Sequence, residues 1–424
     1  MDIPIGRRIG CAFLAFVLAF GMSVITQMPA YAASDTSAMQ IYGLYDESEY
    51  NVAVGGAIQF EDADGLALSS DSPCIAIDGD GQITGVSAGT ATISWTDDGQ
   101  DCHATIRVYS GSLPQRSYTK RVKKDEYGGV STTVNVKVAG IDSNSRVQLE
   151  QDSLDASYVG NVDGAKQTVS VFLYKKGKHV LTLNVDGKRY QVTIDVKVVS
   201  LSTTYVMLKK GGTKKLRVRN GKATSWRSSK KSVARVSSKG KVTAHKKGIA
   251  KITAKVDGFT LHCRIEVTSK KAYRAVKNGL SDVKKKLKYS QRKRMAKSRR
   301  DCSSFVSRCY WDPSLHRKLL IIGGQGARYW AYNAASQAKW LNKHHRRVAY
   351  SAVSKNKLLP GDTIYYETDY AGKNKEYRHI DHAALYIGNG LILQTGGWGG
   401  KGTVGFGTYY PGDKSVKFIG RPAR

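Results

Sequence analysis

Cys302 stands in the run Asp301-Cys302-Ser303-Ser304-Phe305-Val306, and His382 follows eighty residues later at the head of His382-Ala383-Ala384-Leu385-Tyr386-Ile387-Gly388-Asn389-Gly390. A cysteine and an imidazole are the two halves of a nucleophile–base pair: the sulfur attacks an electrophilic carbon and the ring moves the proton. Phe305, Val306 and Tyr310 have the spacing of a buried helix, so Cys302 is predicted at a helix N-terminus. Unpaired N–H groups and the helix dipole there are expected to lower the thiol pKa, and the N–H of Cys302 itself is a candidate oxyanion donor. His382 opens an apolar strand that turns at Asn389-Gly390 and returns as Leu391–Gln394. Gln394, twelve residues after His382, is placed to hold the ring nitrogen that does not face sulfur. Leu358-Leu359-Pro360-Gly361-Asp362-Thr363-Ile364-Tyr365-Tyr366 supplies the strand before this pair. Asp301 and Ser303 are assigned to substrate binding, with helix capping the other role open to Asp301. His379 is the alternative base. Cys309, two helical turns from Cys302, reads as core. Trp311, Tyr329, Trp330, Trp340 and Trp398 are divided between core and groove. No close Cys/His spacing marks a zinc site, and the chemistry calls for no metal and no cofactor.

The elements that must carry these residues fall into an α+β unit, and three of its motifs occur in an informative order. Asp-Cys-Ser-x-Phe-Val, then Leu-x-Pro-Gly-Asp-x-x-x-Tyr, then His-x-x-x-Tyr-Ile-Gly-Asn-Gly resemble the NlpC-type cell-wall cysteine peptidases, a papain-like family. The resemblance covers roughly 271–424. It implies a cysteine peptidase that cuts peptidoglycan stem peptides, with Cys302 as nucleophile, His382 as base and Gln394 as third polar residue. Gln394 stands where that family usually has His, and Ser304 where it usually has Gly. The long spacing, with an insert around 311–350, also suits an amidase branch of the same clan. N-acetylmuramoyl-L-alanine amidase therefore stands beside endopeptidase.

Upstream lies a repeat. Residues 71–108 align without a gap onto 230–267, so that Gly81, Ile83, Gly89, Ala91, Ile93, Ile106 and Val108 meet Gly240, Val242, Gly248, Ala250, Ile252, Ile265 and Val267. Alternation at Leu261, Cys263, Ile265 and Val267 puts one face of a strand in a core. Residues 177–198 repeat the closing hairpin, with Asp186-Gly187 standing where Asp257-Gly258 stands, a tight-turn signal. The segments around Gly81–Ile93 and Gly240–Ala254 resemble the bacterial Ig-like group 2 domain, which implies small β-sandwiches on exported proteins. The expected organisation is a signal peptide (1–32), an Ig-like domain (33–112), a divergent Ig-like domain (113–200), a second clear Ig-like domain (201–269) and the NlpC-type domain (270–424). The fold class is thus multidomain, all-β Ig-like sandwiches followed by an α+β papain-like domain. Cys74 and Cys102 fall on the apolar positions of Val233 and Leu261, which suggests a disulfide between them in an oxidising compartment; Cys263 is expected to be a small buried hydrophobe.

Arg7-Arg8, the apolar run from Cys11 to Ile25, and Ala30-Tyr31-Ala32 read as an export signal cut before Ala33. No later run is apolar enough to span a bilayer, so the expected location is secreted or wall-associated. Charge is uneven: the chain carries +33, yet residues 33–114 hold thirteen acids against Arg107 alone, net −12. Residues 201–270 hold nineteen basic residues against Asp257 and Glu266, net +17. Such a basic body attracts polyanions. Outside a cell these are anionic wall polymers and peptidoglycan carboxylates, and nucleic acid is not expected. Peptidoglycan is the expected partner. A non-catalytic wall or host-surface adhesin is the reading from another class.

Overall fold

The computed structural model describes residues 38–150, 157–322, 324–325, 330–349, 358–368, 375–396 and 402–423. The segment read as an export signal (1–32), Tyr329 and Trp398 lie outside these residues. The architecture is mostly β, with three successive Ig-like sandwiches and then a unit of helices on a sheet.

Each sandwich is built around one long hairpin: Gly89–Asp97 with Gln100–Tyr109, Gly177–Val185 with Lys188–Val198, and Gly248–Val256 with Phe259–Thr268. Their two-residue turns are Asp98-Gly99, Asp186-Gly187 and Asp257-Gly258, and all six residues have positive φ, between 46° and 84°. That conformation matches the right-handed twist of the strands, and Asp-Gly tolerates it. An opening strand pairs in parallel with the last strand of each hairpin: Glu49–Ala53, Ser117–Val122 and Tyr205–Lys209. The middle module, matched in sequence only through its hairpin, therefore shares the arrangement of the other two. Alternate residues of these strands fill three separate cores; Leu261, Cys263, Ile265 and Val267 are all buried, as their alternation predicts.

The expected disulfide does not form; Cys74 and Cys102 both remain thiols. Cys74 packs against Gly89 at one end of the first hairpin, whereas Cys102 pairs with Trp95 near the other. Trp95 lies six residues along the strand from Gly89, about 20 Å, which no disulfide spans. Aligned core positions put both cysteines in one sandwich but not at one place in it.

The modules are joined by their turns. Tyr109 Oη donates to the buried Asp186 carboxylate at 2.7 Å, and Ala53 N–H to the Asp186 carbonyl at 2.9 Å, so the tip of the second hairpin seats on the first module. Arg121 of the second module pairs with Asp257 of the third at 3.4 Å.

The last strand of the third module ends at Thr268, and helix α1 (Lys270–Lys284) starts two residues later, with Ser269 as N-cap. Helix α2 (Cys302–Tyr310) and helix α3 (Ala334–Lys343) follow. They share a core with one face of an antiparallel five-stranded sheet ordered Gly405–Thr408, Leu391–Gln394, His382–Gly388, Thr363–Tyr366, Val416–Gly420. The Pro360-Gly361-Asp362 corner explains its glycine: φ is 96°, and a Cβ at Gly361 would lie 2.5 Å from Ala272 Cβ. α1 thus packs directly on the corner that starts the Thr363 strand.

The basic stretch 284–300 is partly internal. Arg300 and Arg308 are almost completely buried. Arg300 pairs with Asp282 at 3.2 Å and with Asp312 at 3.1 Å, Arg308 pairs with Asp312 at 2.9 Å, and Arg317 also pairs with Asp282. Backbone carbonyls of Arg294, Ala296 and Arg299 accept further guanidinium hydrogens. Five charges buried together survive only because each is paired and hydrogen-bonded.

Candidate active site

α2 begins where the sequence places it. Asp301 is its N-cap: the carboxylate accepts the Ser304 N–H at 2.7 Å, and Ser304 Oγ accepts the Asp301 N–H at 2.9 Å, a reciprocal capping box. Every residue of α2 from Ser303 to Tyr310 is buried, and Cys302 alone keeps partial exposure. One helix thus carries a partly exposed cysteine at its open end and a sealed one, Cys309, in the core.

The Cys302 sulfur rests on the start of the His382 strand, 3.8 Å from the Asp381 carbonyl oxygen, with the Ala383 and Ser303 N–H groups directed at it. It therefore touches the backbone on both sides of His382. His382 Nε2 lies 2.8 Å from Gln394 Oε1. An amide oxygen only accepts, so Nε2 carries the hydrogen and Nδ1 is left as the basic nitrogen. Among the described residues no hydrogen bond joins the sulfur to the ring. Such contacts are commonly open without substrate and tighten when it binds.

Electrostatics here depart from expectation. Burial, then the neighbouring Asp301 charge, push the Cys302 thiol up to about 12, against the downward pull of the Ala383 and Ser303 N–H groups and Arg294. Burial lowers the His382 pKa, against the Gln394 hydrogen bond and Asp381, which raise it. Both shifts favour the neutral thiol and the neutral imidazole over the thiolate that the helix end alone would favour. Desolvation of a sulfur exceeds the help of one capped helix turn.

Asp301 and Ser303, assigned to substrate, face inward. Both are buried; Asp301 pairs with Arg294 at 2.8 Å, and Ser303 Oγ donates to Asp301 at 3.1 Å and accepts from Arg294 at 2.6 Å. Capping and pairing consume the groups that a ligand would need. His379 is exposed on a short 3-10 turn, and the Asp381 carboxylate accepts from Thr368 N–H and Oγ1 at 2.9 and 2.8 Å. Trp330 is exposed, while Trp311 and Trp340 are half-buried.

Two neighbours escaped the sequence. Arg294 lies in the basic run 284–300, where nothing in the sequence sets it apart. Tyr289 lies close enough to Cys302 that the sulfur and Asp301, after burial, raise its phenol, and its ring would meet a Cβ on Gly396 at 3.2 Å. One signal for inward-turning arginines was present: Asp282 is the single acid in 267–300.

The family model of the bacterial Ig-like domain (group 2) matches residues 195–263, the third sandwich. No curated protein matches the chain. Among solved structures, invasin, a bacterial integrin-binding protein, is 15% identical over 48% of this chain and 52% of its own, with a TM-score of 0.25. The chain thus spans about half the length of invasin. The Escherichia coli adhesin FdeC is 16% identical over 53% of this chain and 95% of its own, with a TM-score of 0.24. NlpC2 from Trichomonas vaginalis is 13% identical over 65% of this chain and 97% of its own, with a TM-score of 0.27. Among the described residues no helix is long and apolar enough to cross a membrane.

Proposed function

We propose that the chain is an exported cysteine endopeptidase of the NlpC type, papain-like in its last domain (270–424), that cleaves stem-peptide bonds of peptidoglycan. The observation that carries this reading is the partly exposed Cys302 at the capped end of α2, seated on the backbone that flanks His382, whose Nε2 is held by Gln394. In the reaction Cys302 Sγ attacks the scissile carbonyl as its proton passes to His382 Nδ1. Collapse of the tetrahedral adduct breaks the C–N bond, and His382 returns the proton to the departing amine. Water, deprotonated by the same ring, then hydrolyses the thioester and frees the sulfur. Helix-end N–H groups of α2 are candidates to receive the oxyanion. No cofactor enters the scheme.

The third sandwich, with its net +17, is assigned to holding the enzyme on anionic wall polymers, at the cell surface or outside the cell. Incubating purified peptidoglycan with the chain from Ala33 and weighing the released fragments tests the reaction. New amino termini inside the stem peptide support endopeptidase, and termini at the lactyl–alanine amide reassign the enzyme as a muramoyl-peptide amidase. Binding to walls with no release from any wall type favours the adhesin reading.

A further inference from the structure

We propose that the third sandwich is part of the frame of the reaction centre: Tyr205 and Glu266 pin a strand bulge at Ile387, and that bulge puts His382 and Gln394 on one face of the sheet. The inference rests on the reading of His382 as base and Gln394 as its holder.

The register of the hairpin decides which face Gln394 shows. At the turn Gly388 pairs with Leu391, but further back Tyr386 pairs with Ile392 and Leu385 with Leu393. Ile387 is therefore an extra residue, a bulge in the His382 strand. Carrying the bulged register on sets Gln394 opposite Ala384, so His382 is its diagonal neighbour on the same face, within reach of a long side chain. The 2.8 Å contact is that diagonal pair. Without the extra residue, the pairing begun at Gly388–Leu391 would run on to set Gln394 opposite Leu385. A one-residue shift turns a side chain to the other face, and Gln394 would point away from the ring.

The bulge is held from outside its own domain. Tyr205 Oη lies 3.2 Å from the Ile387 carbonyl oxygen and 3.3 Å from Glu266 Oε2, and donates to either. The Asn389 N–H, in the turn itself, points at Glu266 Oε1 at 3.4 Å. Glu266 is completely buried and anchored by Arg264 at 2.5 Å. Gly388 permits the approach: its φ is 107°, and a Cβ there would fall 1.7 Å from Tyr205 Oη. Tyr205 and Glu266 sit on adjacent, parallel strands of the third sandwich. That sandwich enters α1 with Ser269 as the single intervening residue, and Thr268 Oγ1 donates to the Pro360 carbonyl at 2.7 Å. A carbonyl at a bulge has lost its ladder partner, and here the neighbouring module supplies one. Tyr205 and Glu266 are thus positioning residues, acting about 20 Å from His382 through strand register.

The test uses the chain from Ala33 with Tyr205→Phe, Glu266→Leu and Glu266→Gln, each first checked for folding by its melting curve. Two quantities are read: the hydrogen-bonded Nε2–H resonance of His382 in histidine-labelled protein, and kcat and KM for fragment release from peptidoglycan. Tyr205→Phe and Glu266→Leu are expected to move the resonance toward that of Gln394→Ala and to lower kcat about tenfold with KM within about twofold. Glu266→Gln keeps an acceptor for Asn389 and is expected to keep both near wild type. Folded Tyr205→Phe and Glu266→Leu proteins with an unmoved resonance, or with a moved resonance and full kcat, overturn the proposal. A wild type that releases nothing defeats the hydrolase reading instead, and the resonance still reports whether the clasp sets the ring.

Discussion

At the scale of single residues the site is a balance of small opposed effects around one sulfur. Asp301 caps α2 and, by its charge, holds the Cys302 thiol up; Arg294 offsets part of that charge. Asp301→Asn keeps a capping oxygen but removes the negative charge. The pH midpoint of Cys302 alkylation by iodoacetamide, followed by peptide mass, is expected to move down in this variant. An unmoved or higher midpoint contradicts the assignment of Asp301 as the nearest charge acting on the sulfur. Gln394→Ala removes the hydrogen bond that raises the His382 pKa. The base is active when neutral, so the acidic limb of kcat/KM against pH is expected to shift to lower pH while kcat falls about ten- to a hundredfold. A limb that stays in place or moves up would show that Gln394 does not hold the ring. The placement of Cys302, His382 and Gln394 was legible in the sequence because they sit at an element start, a strand start and a paired strand. Protonation was not legible, because desolvation depends on what packs over the sulfur.

At the scale of elements, turns and buried charges carry the specificity. Asp282 holds Arg300 and Arg317 beneath α2, and none of the three is exposed. Asp282→Ala leaves two guanidinium groups buried without it and is expected to cost about 3–5 kcal/mol of stability, read by chemical denaturation. A loss below about 1 kcal/mol would show that backbone carbonyls suffice. Asp186, in the turn that seats on the first module, is 1% exposed, and burial raises its carboxyl to about 6 from 3.8. A raised carboxyl binds its proton better folded than unfolded. Its stabilising contribution is therefore full below about pH 4 and is lost as pH rises through about 6, a change of about 3 kcal/mol. Amide exchange in the Gly177–Val198 hairpin is expected to show that decline, and Asp186→Asn to flatten it. A decline that persists in the Asn variant places its origin elsewhere. The hairpins themselves were readable from alternation and Asp-Gly. The ion network was not, since a basic run with one acid in it looks the same whether solvated or folded inward, and the second acid, Asp312, lies beyond that run, past the start of α2.

At the scale of the whole molecule, opposite charges ride on one scaffold. The first sandwich carries the acids and seats on the second; the third carries the basic excess and runs into the helix–sheet unit. If the basic module holds wall polyanions, binding of the full chain to purified walls is expected to weaken steeply as salt rises from about 0.05 to about 0.5 M, because the Debye length contracts severalfold. Walls stripped of their anionic polymers should bind weakly at every salt concentration. Equal binding to stripped and intact walls contradicts that role. Tandem sandwiches followed by a different domain were legible from the 159-residue offset of the repeat. The seating of one module on another was not, because Tyr205, Glu266 and Asp186 look like ordinary strand and turn residues until the chain brings their partners to them.

The most direct measurement is the rate of soluble fragment release from purified peptidoglycan by the wild-type chain and by Cys302→Ala, compared at equal wall occupancy. The account predicts release by the wild type and loss of at least about a thousandfold in the variant, with binding and melting temperature unchanged. Release that survives loss of the sulfur would contradict it.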